Sequence, residues 1–297
     1  MMLKSVSLHE AITRSLAKSS QSVITDYQLE VLICLFYRKK EYDGQPLRVR
    51  KDMPELSDYN RTIDKLINSG VIKSHIHFPR KIFTVFDREI SDNRTIICNI
   101  DPFCYISHLS AMEYQGLTYR IPKMIFITSP GMKLWKSLAS ERVKKDLGED
   151  IDVHNLPFRL QKIPIKKIGK TNINCYSPKS LGSFKKVGEN MRVATIGRTF
   201  FDMLQNPDLC GGTHHIVEVF EEYSEKYSEL IINEVDRHGK PIDKVRAGYI
   251  LEEICNIKSP VLESWLKYVQ RGGSRKLDPH EGYSSTYSAR WCLSINI

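Results

Sequence analysis

Asn60, Arg61, Asp64 and Lys65 fall at i, i+1, i+4 and i+5, so a helix would gather them on one polar face. An amide, a guanidinium and an ammonium in that spacing can hydrogen-bond base edges in a DNA groove. Ser57 precedes them by one turn and is the expected N-cap of that helix, because its hydroxyl can accept an orphan amide. Arg48, Lys51, Arg80 and Lys81 flank the set as expected phosphate contacts, which would fix register without reading sequence.

Other chemistries fail on spacing. Gly169-Lys170-Thr171 matches the end of a phosphate-binding loop, but Pro164 stands where its first glycine belongs. There is no His-Glu-x-x-His and no Gly-x-Ser-x-Gly. No lysine has Asp or Glu two residues before it, which removes the Glu-x-Lys element of a common metal-dependent nuclease core. His75-Ile-His77 and His214-His215 lack partners at ligand spacing, so no metal and no cofactor is expected. Cys104 is read as a buried, inert thiol. The expectation is a protein that is not an enzyme.

The elements that must position the polar face are legible around it. Tyr59, Ile63, Leu66 and Ile67 form an apolar stripe on the opposite side, and Gly70 ends the helix. Two β-branched runs, Val71–Ile76 and Ile82–Phe86, are expected to form a hairpin with Phe78-Pro-Arg-Lys81 at its tip. Upstream, Ser7–Ser19 reads as an amphipathic helix. Thr25-Asp-Tyr-Gln28 reads as a capping box opening a second helix, rich in Leu, Ile and Phe. Helices followed by a hairpin make a winged helix-turn-helix over residues 1–90. A larger mixed α/β domain is expected over 91–297, and the fold class is α+β. In that second part Thr95–Ile100 and Lys123–Ser129 read as strands, and 158–168 as a strand alternating apolar and basic residues. Val193–Gln205 reads as a strand feeding a helix, with further helices at Thr213–Lys226, Val245–Ile254 and Pro260–Arg271. Arg290–Ile297 closes the chain as a strand.

Charge supports an acidic partner. The 297 residues carry a net +9 with 41% hydrophobic content, ordinary for a globular protein. Net charge is +4 over 1–90, +8 over 133–192 and −3 over 193–297. The most basic stretch holds Arg159, Lys162, Lys166, Lys167, Lys170, Lys185 and Lys186. Three roles stay open for it: an extension of the DNA footprint, a surface for an acidic protein, or a solvated face. No apolar run approaches the roughly 20 residues of a membrane span. Seven cysteines, none spaced Cys-x-x-Cys, suit reduced thiols in the cytoplasm.

Four stretches, in order, resemble the AbiEi family. They are Tyr105-Ile-Ser-His-Leu-Ser-Ala-Met-Glu-Tyr-Gln-Gly-Leu-Thr118; Ala194-Thr-Ile-Gly-Arg-Thr-Phe-Phe-Asp202 with Gly211-Gly212; Lys244-Val-Arg-Ala-Gly-Tyr-Ile-Leu-Glu252; and Leu277-Asp-Pro279 with Arg290-Trp-Cys-Leu-Ser-Ile-Asn296. The resemblance implies an antitoxin of an abortive-infection toxin–antitoxin system that also represses its own operon. It implies binding at inverted repeats in the promoter, and a nucleotidyltransferase-like toxin as partner. One departure is Gly197, where the family carries an acid before the arginine, so Arg198 needs another partner. Arg198, Asp202, Arg246 and Glu252 are read as structural ion pairs or toxin contacts. Two rivals stand beside this reading: a winged-helix regulator whose C-terminal domain senses a ligand, and a nucleic-acid-processing enzyme.

Overall fold

The structure is a computed structural model that describes residues 5–88, 92–149, 159–188, 190–272 and 275–297. The chain is mixed α and β. It opens with α1 (Leu8–Lys18), β1 (Val23–Thr25) and α2 (Asp26–Lys39). The small hairpin β2 (Glu41–Tyr42) and β3 (Gln45–Pro46) leads to α3 (Leu56–Asn68), then to β4 (Ile72–His75) and β5 (Phe78–Val85). The caps follow the sequence at α1 and α2. Ser7 Oγ accepts from the Glu10 amide, and Thr25 and Gln28 exchange both bonds of a capping box.

Two expectations around α3 are corrected. Its N-cap is Glu55, not Ser57: the Asp58 carboxylate reaches back to the Glu55 amide at 3.2 Å, and Lys51 bridges Glu55 and Asp58, so the helix starts earlier. The hairpin tip is Ile76-His77, not Phe78–Lys81. β4 and β5 pair Ser74 with Phe83 and then His75 with Phe78, so Pro79–Ile82 have no partner on β4. Pro79 has no amide to donate, and Arg80 sits at φ +59°, which suits a bulge and not a regular strand.

β1, β5 and β4 make an antiparallel sheet with Thr25 opposite Ile82. One of its faces joins the helices in a core of Ile12, Leu29, Ile33, Ile63, Leu66 and Phe83. Val23 and Ile82 belong to a different core, with Ile96, Ile97, Ile106 and Val193 from beyond residue 90. Likewise Tyr27 and Cys34 of α2 pack against Val143 and Leu147.

The next element is α4 (Asn93–Ile100), where a strand was expected. Asp92 caps it, and Ile96 through Ile100 are buried all round. A short, fully buried apolar run carries no period, so its β-branched residues misdirect the sequence reading. There follow β6 (Tyr105–Ile106), α5 (His108–Tyr114), β7 (Met124–Thr128), α6 (Met132–Leu147), β8 (Lys167–Ile168), β9 (Thr171–Tyr176), β10 (Phe184–Val187) and β11 (Met191–Ala194). They build a six-stranded mixed sheet in the order β10-β11-β6-β7-β9-β8. The strand expected over 158–168 is regular only at β8, and Phe158 lies outside the described residues.

The last third is helical: α7 (Ile196–Gln205), a 3-10 turn at Pro207–Cys210, α8 (Thr213–His238), α9 (Pro241–Tyr249) continuing into a π turn at Ile250–Ile254, and α10 (Pro260–Trp265). α8 runs three turns past the expected Lys226. β12 (Tyr287–Ser288) and β13 (Leu293–Ser294) close the chain. Their core holds Phe200, Phe220, Trp265 and Trp291. Gly248 lets α9 meet the Trp291 ring, since a β-carbon there would fall 2.1 Å from it. No helix among the described residues is long and apolar enough to cross a membrane.

Candidate nucleic-acid interface

The apolar side of α3 is fixed by Tyr59, Ile63 and Leu66 in the core, and its far end by Gly70. Gly70, at φ +75°, donates to the Ile67 carbonyl, and Val71 donates to that of Leu66, both at 3.0 Å. These two bonds satisfy the last carbonyls of the helix. With that side buried, Ser57, Asn60, Arg61, Asp64, Lys65 and Asn68 are left exposed. Ser57, Asn60, Arg61 and Lys65 have no side-chain hydrogen bond or ion pair among the described residues. Asp64 does: its Oδ1 is 2.6 Å from Arg80 Nη2.

The expected phosphate contacts are arranged unevenly. Lys51 is held by Glu55 at 2.9 Å and Asp58 at 3.1 Å, which raises its pKa through those hydrogen bonds. Arg80 is tied to Asp64, beside α3. Arg48 Nε donates to Ser5 Oγ at 3.0 Å, leaving its terminal nitrogens open. It lines a cleft of about 650 Å³ with Arg61, Lys65, Asn68 and the first residues of α1. Lys81 is displaced from this group. The bulge at Arg80 turns it into a crevice with Asp26, Tyr27 and Arg159, at the junction with the following segment.

The second basic group is not one surface. Lys167 is on β8, with Lys166 and Lys170 on either side, at one edge of the six-stranded sheet. Lys185 and Lys186 are on β10 at the opposite edge, five strand spacings or roughly 24 Å away. Lys162 donates to the Pro130 carbonyl at 2.6 Å and is half-buried. Arg192, the last cation of that basic stretch, is inside the protein. Its guanidinium binds the carbonyls of Cys98, Cys104 and Asp101 at 2.6–2.7 Å.

The four charged residues on apolar helices each have a partner within the chain. Arg198 pairs with Asp202 at 2.6 Å, both buried, and lies over the Phe201 ring. Gly197 cannot carry the acid seen in the resembling family: a β-carbon there would be 2.3 Å from the Leu230 carbonyl oxygen of α8. Glu252 accepts from Arg290 and from Trp291 Nε1, at 2.7 and 2.8 Å, and is held below the usual carboxylate range first by Arg290. Arg246 donates to the Lys276 carbonyl at 3.0 Å, and burial lowers its pKa.

Nothing in the local pattern marks Asp101 or His108, yet both organise the interior. Asp101 accepts from Ser129 Oγ at 2.6 Å, Trp135 Nε1 at 3.1 Å and the Phe103 amide. His108 is fully buried at φ +50°, with Nδ1 2.8 Å from Ser107 Oγ. Its Nε2 and the Oδ2 of Asp202 have no hydrogen-bond partner among the described residues. Burial pushes the His108 pKa down. The positive φ was the missing signal, and it cannot be read from composition. Cys104 is fully buried, its pKa raised well above the usual value by the Cys98 thiol and by burial, the opposite of a nucleophile's environment.

No family model matches the chain, and no curated protein matches it. Among solved structures, it is similar to the RV2827C protein from Mycobacterium tuberculosis. Identity is 11% and the TM-score 0.48, over 95% of this chain and 89% of that one. So distant a likeness carries neither fold nor activity across.

Proposed function

We propose that α1 to β5 form a winged helix-turn-helix whose α3 reads duplex DNA, and that the chain represses its own operon as the antitoxin of a nucleotidyltransferase-like toxin. One observation carries the DNA part. α3 buries Tyr59, Ile63 and Leu66 while Ser57, Asn60, Arg61 and Lys65 face solvent without internal partners. An arginine and an asparagine held on a rigid helix and free of ion pairs can meet guanine and adenine edges bidentately. Arg48 and Arg80, on flanking segments, would set register on the phosphates. Lys51, engaged by two carboxylates, contributes less than its charge suggests.

The antitoxin part is supported by the four resembling sequence stretches, which lie outside α3. Arg198, Asp202 and Glu252 are engaged in internal pairs and Arg246 on the Lys276 carbonyl, which favours other surfaces for a toxin contact. Footprinting on the DNA upstream of the gene tests the first part, and protection of an inverted repeat is expected. Co-expression with the adjacent gene tests the second. The expected result is growth rescue, and unchanged toxicity would remove the antitoxin reading while leaving repression to stand.

A further inference from the structure

The cleft beside α3 has features that a solvated face does not require. It is lined by Ser7, Leu8 and His9 at the start of α1, by Arg48 and Tyr37, and by Arg61 and Lys65 of α3. Three cations converge on it. Asp58, the sole carboxylate among the described residues of its lining, is already engaged by Lys51 and the Glu55 amide. The eleven-residue α1 directs its positive end at the same space. Ser7 Oγ takes the Glu10 amide, while the amides of Leu8 and His9 have no acceptor among the described residues.

An independent observation comes from Tyr37. Its ring is buried, the residue being 7% exposed, while its hydroxyl opens on the cleft with no hydrogen-bond partner among the described residues, in the field of Asp58, Lys51 and Arg61. A phenol whose ring is buried keeps its hydroxyl where a partner can reach it. Here the open cleft is the direction from which one can come. The group that suits two guanidinium forks, an ammonium, a phenolic donor and free helix amides is a tetrahedral oxyanion. Leu8 and Val49 supply an apolar wall beside it, and the volume is in the range of a small-molecule site.

We propose that this cleft is a phosphate site, holding one phosphate of a nucleotide between Arg48, Arg61, Lys65, the Tyr37 hydroxyl and the first amides of α1. The phosphate is either part of a DNA backbone or carried by a free nucleotide. The first source rests on the reading of α3 given above; the site itself does not. In the first case the cleft anchors the strand beside the groove that α3 reads, with Arg48 as the principal phosphate contact and Arg61 turned to the base edge instead. In the second, a nucleotide would compete with DNA for Arg61 and Lys65.

The test uses the full-length, isotope-labelled protein, titrated with inorganic phosphate, with AMP and with a short operator duplex. Phosphate and AMP should shift the Leu8 and His9 amide resonances. Arg48→Ala should weaken that response by about tenfold or more, and Tyr37→Phe, which keeps the ring, by a few-fold. If the source is the backbone, Arg48→Ala also lowers the salt slope of duplex binding by about one. AMP binding that depends on Arg48, with an unchanged salt slope, assigns the site to a free nucleotide. Absence of any shift with phosphate or AMP, together with an unaltered salt slope in Arg48→Ala, overturns the proposal. Duplex binding that keeps its sequence preference in that case leaves the α3 reading intact. Loss of all duplex binding while AMP still shifts the α1 amides does the reverse.

Discussion

A glycine inside a helix usually costs up to about 1 kcal/mol against alanine, so Gly197→Ala would stabilise α7 if space allowed. Space does not allow it. The new β-carbon would meet the Leu230 carbonyl oxygen at 2.3 Å and its carbon at 3.0 Å, both backbone atoms of α8. Steric cost should win, with a net loss of about 1–3 kcal/mol by chemical denaturation. A gain in stability would show that the two helices can part. Arg61 belongs to the same scale but to function. It is exposed and unpaired, so Arg61→Ala should leave stability within about 0.5 kcal/mol. It should cost about 1–3 kcal/mol of discrimination at one base position. A footprint that keeps its preference there removes the residue from base reading.

At the scale of elements, the helices around α3 were legible because their ends carry local signals. Ser7, the Thr25–Gln28 box and Gly70 each act within four residues, so the sequence alone suffices. Gly70→Ala tests how much one signal is worth. Nothing lies within 4 Å of the added methyl, so the left-handed backbone is the whole cost, about 1–2 kcal/mol in a denaturant melt. α4 was misread because burial on every side erased its period, and burial is a property of the neighbours. The bulge that moved the hairpin tip and separated Lys81 from Arg61 is of the same kind. It depends on β1 pairing with β5 across more than fifty residues of chain. The candidate site was half legible: the polar face of α3 follows from spacing. The cleft needs α1, α2 and the segment after β3 brought together, which no spacing within α3 encodes.

Across the whole molecule, the α1–β5 segment does not end in a bare surface. Val23, Ile82, Tyr27 and Cys34 sit in cores completed by residues 96–193. Acid should destabilise the folded chain through its buried histidines. Burial lowers the pKa of His108 and His215 below the ordinary 6.5. As pH falls through 6.5 the unfolded chain binds protons that the folded chain refuses. Stability is therefore full above that value and declines below it, by at most about 1.4 kcal/mol per pH unit for each histidine. Denaturation midpoints measured between about pH 7.5 and 5.5 should fall, and His108→Gln should flatten the decline. A flat profile in the parent protein would mean that these rings take up protons as readily in the folded chain as in the unfolded one. The two lysine-bearing edges of the six-stranded sheet have a consequence of their own. Open strand edges invite pairing with other chains, and a row of ammonium groups repels a like neighbour. Lys185 and Lys186 on β10 are exposed there beside Phe184. Replacing both by valine should make the protein self-associate under light scattering while duplex affinity holds, so these cations would be keeping copies of the protein apart.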